Sequence, residues 1–420
     1  MFPRIQACIP IFLFFLLPCQ NFCQEKQGNS FPKLPSTFQP FHDSGLQFLS
    51  GRLSPLSGNA LPVPVQLSPH SSEEPLQSQN FPDPFSQKYE FYDQEGKIVT
   101  EPIWKNSGFP GTGLYHETFS VLNSMIGEER KYDLAKAVFL VENAFSDGEL
   151  SYESYCMDLE EMENELSTIP NEGGFAGDEH HIRNEVLFRY LTDTTAVTGH
   201  FRDFRRNPYT YDFDDFLGED DWTKMFVTKL IITGSGQCHS LPLLYKILAD
   251  ELSIPSWLAF GPEHIFIRFL ADDGSEFTNA ELTSGQLVSD AWLMASGKIK
   301  AEAIRNRIYL DTLSRKQTLA LCLADLAKGY TRKIGFDEFG LQIVERALEV
   351  HPQSIYAMQF KSDLLTIRFE QAWKDAGFPD PGQFSESFPQ LREFLEERNR
   401  MYDQIDAVGY EPTPFSNEKP

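Results

Sequence analysis

The stretch GSGQCHSLP, beginning at Gly234, puts a cysteine where a glycine-rich turn runs into an apolar helix. A thiolate attacks carbonyl carbon, and a helix start favours the thiolate because its free backbone N–H groups carry partial positive charge. The same N–H groups suit the oxyanion that develops in acyl transfer, so the Cys238 N–H and the Gln237 side chain are candidate donors. A nucleophilic thiol also needs a base carried by a different element. His264 is that candidate, because it opens a β-type run directly after the turn Gly261, Pro262, Glu263. In the next run, EFTNAEL, side chains alternate faces, so Asn279 and Glu281 point the same way. Either one can accept the imidazole N–H and orient the ring.

These residues depend on the elements that carry them. Leu241, Leu244, Ile247, Leu248 and Leu252 recur at helical spacing after Cys238, and Ser253, Ile254 and Pro255 stop that helix. Three β-type runs follow, Ser256 to Phe260, His264 to Leu270 and Glu276 to Leu282, with a hairpin signal at Asp272, Asp273, Gly274 and Ser275. One helix followed by an antiparallel meander predicts an α+β fold. Upstream, helical patterns cover Glu117 to Ile126, Tyr132 to Asn143, Tyr152 to Leu166 and His181 to Asp193. The acidic, aromatic stretch Asn207 to Trp222 reads as irregular and leads into Met225 to Ile232. Beyond about Lys300 the chain is helical again and ends in an amphipathic helix from Phe388 to Met401.

The order of a Gly-x-Cys heading a helix, a His on one strand and an acid on the next resembles the transglutaminase-like members of the papain-type cysteine enzyme superfamily. The resemblance is strongest over Met225 to Gly285 and looser over Asn171 to Lys300. It implies Cys238 as nucleophile, His264 as base and Glu281 as the acid. Such enzymes usually carry Asp at the third position, and Asn279 is the rival, the amide used in papain-type sites. After Lys300, the segment DLAKGYTRKIGFDEFGLQIVERALEVHPQ sets Leu326, Gly329, Tyr330, Ala347, Leu348 and Pro352 much as one tetratricopeptide unit would. A pair of packed helices buttressing the core is the plainer reading. A transglutaminase-like core with such a tail resembles one bacterial branch of the superfamily.

The remaining sequence bounds this reading. Arg4 precedes the short apolar run Ile9 to Leu17, a signal-peptide pattern over residues 1–24 that predicts an exported, periplasmic or secreted protein with no integral membrane segment. Lipid anchoring through Cys19 or Cys23 is the alternative to simple export. Residues 25–88 are a Ser/Pro/Gln-rich tether, 89–299 the transglutaminase-like domain, 300–402 the helical extension and 403–420 a flexible tail. A formal charge of −25 opposes binding to nucleic acid. Apart from Cys8, Cys19 and Cys23, the cysteines are Cys156, Cys238 and Cys322, which make neither a disulfide framework nor a zinc spacing.

Weaker candidates have ordinary readings. His239 is a rival base, but its place at the helix start turns it away from the thiol toward a structural role. His180 and His181 with Glu185 lack a third metal ligand, and Arg202, Arg205 and Arg206 read as a salt-bridged face. The GSG turn has no following Lys-Ser/Thr, which excludes a phosphate loop, and Gly173 to Gly177 reads as a loop or lid. The expected function is therefore an exported cysteine-dependent peptidase or amidase acting on a peptide or protein, without metal or organic cofactor. The alternative is a non-catalytic binding or scaffold module of the cell envelope that holds a protein partner on the helical extension.

Overall fold

A computed structural model describes residues 111–169, 179–197, 204–215, 218, 220–271, 274, 276–377 and 388–410. The expected signal peptide and tether, with Cys8, Cys19 and Cys23, lie outside the described residues. So do Gly173, Gly174, Gly177 and Arg202, most of the hairpin turn at 272–275, and residues 411–420 of the expected tail.

Four helices come first: α1 (Gly113–Ile126), α2 (Leu134–Phe145), α3 (Tyr152–Thr168) and α4 (Glu179–Thr192). Asp133 and Ser151 cap α2 and α3 by accepting from Lys136 N and Ser154 N, which satisfies helix donors that would otherwise face water alone. Short strands β1 (Thr195–Val197) and β2 (Phe204–Arg206) pair antiparallel, and β3 (Thr210–Tyr211) pairs in parallel with β4 (Ser235–Gly236). Helix α5 (Val227–Thr233) lies between them, ending at Gly234, whose φ of 69° closes the helix in the left-handed region that suits glycine.

Helix α6 (Ser240–Glu251) buries every residue from Ser240 to Ala249. Its predicted stop is real: Ser253 takes φ 54° and Pro255 follows. The sheet is a four-stranded antiparallel meander, β5 (Trp257–Gly261), β6 (His264–Leu270), β7 (Phe277–Glu281) and β8 (Gln286–Val288). Three strands match expectation to within a residue or two, and the fourth is short enough to have no readable alternation. The outer edge of β5 is covered by the chain that follows the sheet, since Leu310 N and Leu313 N donate to Phe260 O and Leu258 O.

After α7 (Asp290–Ser296) and α8 (Ala301–Arg305) come α9 (Arg315–Ile334), α10 (Glu338–Val350), α11 (Ile355–Asp375) and α12 (Pro389–Ala407). The last helix runs past the expected end at Met401, because Met401 and Ile405 both bury one turn apart although polar residues surround them. Helix α9 packs on α1 and α2 as well as on α10. Gly329 lies in this packing, where a Cβ would make ordinary contacts with Phe145, Trp222 and Tyr115. One hydrophobic core consequently runs from Tyr115 to Ile405, so the helices after the sheet share their packing with those before it. The fold is α+β and mainly helical, and among the described residues no helix is long and apolar enough to cross a membrane.

Candidate functional site

The turn carrying Cys238 is fixed on both sides. Before it, Gly236 is the one residue that fits: a Cβ there would meet Ser240 Oγ at 2.6 Å and Leu230 Cδ1 at 2.7 Å. Asp212 N donates to Gly236 O, tying β4 to the chain after β3. After it, Gln237 N donates to Ser240 Oγ at 3.0 Å, and Leu241 N to Gln237 O at 3.1 Å, so the first turn of α6 forms around the cysteine. Cys238 is a free thiol and half-buried, whereas Cys156 is exposed and Cys322 is buried. Burial pushes the Cys322 thiol well above its ordinary pKa, which makes it inert.

His264 opens β6 opposite Gly261, across the two-residue turn of Pro262 and Glu263. Glu263 takes φ 53°, the left-handed position a turn of this kind requires after proline. Both His264 and Glu281 are buried, and the His264 Nε2 and Glu281 Oε2 atoms form a short hydrogen bond. The other oxygen of that carboxylate is occupied: Glu281 Oε1 accepts from Thr283 N at 3.0 Å and from Thr283 Oγ1 at 2.6 Å. Thr283 thus locks the carboxylate so that Oε2 faces the ring.

Asn279, the rival third member, is engaged elsewhere. Its Nδ2 donates to Asp290 Oδ1 at 2.8 Å and to Val288 O at 3.2 Å. The sheet register explains the difference, since Asn279 lies opposite Arg268, and Arg268 holds Asp290 through two oxygens at 2.8 and 2.6 Å. Gln237 is fully buried, and neither atom of its amide has a hydrogen-bond partner among the described residues. Leaving a buried amide without partners costs about 1–3 kcal/mol. Helix α6 packs against β5 and β6, the strands that flank the His264 turn.

A second histidine and carboxylate pair begins at the residue that follows the cysteine in the chain. His239, the N-cap of α6, places Nε2 3.1 and 3.0 Å from the two carboxylate oxygens of Asp325 on α9. Tyr356, on α11, donates its hydroxyl to Asp325 Oδ1 at 2.7 Å, and Lys328 Nζ sits 3.6 Å from the Tyr356 ring centroid. Burial opposes charge on His239, yet the Asp325 carboxylate and its hydrogen bond hold the imidazole pKa above its ordinary value. Asp325 had no sequence signal, being 86 residues from His239.

The other candidates take structural places. Arg206 bonds Glu165 at 2.9 Å and lies over the Tyr190 and Tyr209 rings. His181 meets Glu185 at 3.3 Å within α4. Among the described residues no group of three or more His, Cys, Asp or Glu side chains could hold a metal ion.

No protein-family model and no curated protein matches the chain. Among solved structures it is similar to one of menin, which reveals the binding site for Mixed Lineage Leukemia (MLL) protein. That similarity covers 71% of this chain and 85% of menin at 12% identity, with a TM-score of 0.32, too low to bear on fold or function.

Proposed function

We propose that the protein is an exported, cysteine-dependent acyl-transfer enzyme with a transglutaminase-like core, most simply a peptidase or amidase. The observation that carries this reading is the buried His264–Glu281 hydrogen bond, with Thr283 fixing the carboxylate, on a sheet whose strands β5 and β6 pack against the Cys238 helix. In this reading Glu281 orients the imidazole through Nε2, and the ring serves as the nucleophile's base.

In this reading the Cys238 sulfur attacks the substrate carbonyl carbon while His264 takes the thiol proton. A tetrahedral oxyanion forms, and the Gln237 amide and the Cys238 N–H are its donors. As the carbon–nitrogen bond breaks, the leaving amine takes the proton from His264 and a thioester to Cys238 remains. Water then attacks the thioester, giving its proton to His264, and the carboxylic acid leaves as the thiol is restored. An amine in place of water gives cross-linking by the same steps. Glu281 keeps the ring oriented and stabilises the imidazolium, and no metal is needed at any step.

The test is covalent capture. An activated ester such as p-nitrophenyl acetate should release nitrophenol and leave an acetyl group on Cys238, located by peptide mapping. Cys238→Ala should remove the adduct and His264→Ala should suppress it. Absence of any Cys238 adduct in the wild-type protein contradicts the reading and favours a binding or scaffold module.

A further inference from the structure

Helix α6 and the sheet supply the attacking group and its base, but not what a substrate would rest against. The strand pair of β3 and β4 leads there. It sets Thr210 beside Ser235 and Tyr211 beside Gly236, held by Thr210 N donating to Gly234 O at 2.9 Å and Asp212 N to Gly236 O at 2.8 Å. Cys238 stands two residues past Gly236 and Phe213 two residues past Tyr211, so both leave the same rung of one ladder. Paired strands lie about 4.8 Å apart.

Phe213 is an exposed ring on a fixed backbone. Its exposure is 61%, and among the described residues it is the one exposed Phe, Tyr or Trp side chain. The chain is pinned on either side of it. Lys229 Nζ bonds Asp212 Oδ2 at 2.6 Å and Ser235 O at 2.8 Å, Lys224 Nζ bonds Asp214 O at 2.7 Å, and Asp214 N donates to Asp212 Oδ1 at 3.1 Å. The ring leans on half-buried Tyr211, with centroids 4.9 Å apart and planes at 69°, and Tyr211 packs on the core. Single exposed apolar side chains are ordinary. This one differs in its rigid support, its place one strand away from the Cys238 turn, and the charges around it.

Those charges select the occupant. Asp212, Asp214, Asp215, Asp220 and Asp221 flank Phe213 in the chain, and Asp214, Asp220 and Asp221 are exposed. The lysines of this corner, Lys224 and Lys229, are committed to Asp212 and to backbone carbonyls. In a chain of formal charge −25 such a field attracts cations, and the face of an aromatic ring attracts them directly. We propose that Phe213 is a specificity-determining residue: its face receives a lysine or arginine side chain of the peptide whose carbonyl Cys238 attacks. An extended substrate advances about 3.3 Å per residue, which puts the basic side chain on the attacked residue or on one of the next two. The inference rests on the reading of Cys238 as a nucleophile and adds to it a class of substrate.

The experiment uses blocked tripeptide p-nitrophenyl esters that carry lysine, or its uncharged analogue norleucine, at each position in turn. Acylation of Cys238 in the full-length chain is followed by nitrophenol release and peptide mapping, and each rate is divided by that of p-nitrophenyl acetate in the same variant. At one position the lysine ester should be about two- to fivefold faster than the norleucine ester. In Phe213→Ala and Phe213→Leu that ratio should fall to about one, since leucine keeps apolar bulk without a ring face, and Phe213→Tyr should keep it. Equal rates for lysine and norleucine at every position in the wild-type protein overturn the proposal, as does a preference for norleucine or a lysine preference that survives in Phe213→Leu. If acetate acylates Cys238 while the ratio is flat, the enzyme reading stands without this subsite. If no ester acylates Cys238, the enzyme reading falls, and calorimetry of the same tripeptides as amides decides the subsite. Lysine-selective binding that is lost in Phe213→Ala supports it, and binding without lysine selectivity, or none, overturns it.

Discussion

One histidine and carboxylate pair lies on the sheet and another joins the start of the Cys238 helix to α9, and they are built differently. His264 and Glu281 belong to neighbouring segments of one meander, 17 residues apart, and the carboxylate is braced by Thr283 two positions on. His239 and Asp325 are 86 residues apart and bridge the Cys238 helix to the helices beyond the sheet. The first pair is a local product of strand register. The second takes its carboxylate from α9, which packs against α1 and α2. Proton transfer, which the proposed function asks of the sheet pair, needs a ring set to within fractions of an ångström, and strand register supplies such a constraint.

The largest expected effect breaks the comparison at the sheet pair. His264→Ala should lower the rate of Cys238 acylation by about 10²- to 10⁴-fold, the usual contribution of a positioned base. Equal rates in the variant and the wild-type protein would leave the sheet pair as mere packing.

The next effect sharpens the account of the second pair. Glu142 is buried beside His239, and its carboxylate accepts from Val227 N at 2.6 Å, Thr228 N at 2.9 Å and Thr228 Oγ1 at 2.6 Å. Desolvation nevertheless outweighs these bonds and raises its pKa from 4.5 to about 7. A carboxyl group raised on folding stabilises the native state when protonated, below 4.5, and that contribution disappears as pH climbs through about 7. Glu142→Gln should therefore gain on the wild-type protein across that window, by about 3 kcal/mol in full. Thermal melts at a series of pH values measure this, and a pH-independent difference would refute it.

Gly236→Ala acts on the turn that carries Cys238. Its new Cβ would lie 2.6 Å from Ser240 Oγ and 2.7 Å from Leu230 Cδ1, so it should cost about 1–3 kcal/mol of stability and slow Cys238 acylation. Urea unfolding and the acylation assay together check it, and a variant unchanged in both would show that the turn has room to spare.

The smallest effect separates the two rivals on β7. Asn279→Ala should cost about 1 kcal/mol with little change in acylation, because Asn279 serves Asp290 and Val288. Glu281→Gln should do the opposite, keeping most of the stability and losing most of the rate. Interchanged outcomes would move the orienting role to Asn279.

The sequence made the sheet pair readable and hid the helical one, for a physical reason. Period-two alternation and the Pro262–Glu263 turn put His264 at a strand start, and the same alternation put Glu281 on the inner face. Alternation could not choose between Asn279 and Glu281, since both share that face. The choice is made by what stands opposite: Arg268 and Asp290 capture Asn279, leaving Glu281 for the ring. For His239 the pattern predicted a structural role, and its bond to Asp325 is one. Its partner depends on how α9 seats on α1 and α2, through contacts such as Gly329 against Tyr115, which no spacing rule encodes.

The most direct test of the account compares two thiols within one molecule. Cys156 is exposed and Cys238 half-buried, so accessibility alone would have Cys156 react first. Site-resolved iodoacetamide labelling at neutral pH should find Cys238 the faster of the two in the wild-type protein and the slower in His264→Ala. Faster labelling of Cys156 in the wild-type protein would contradict an activated cysteine at the start of α6.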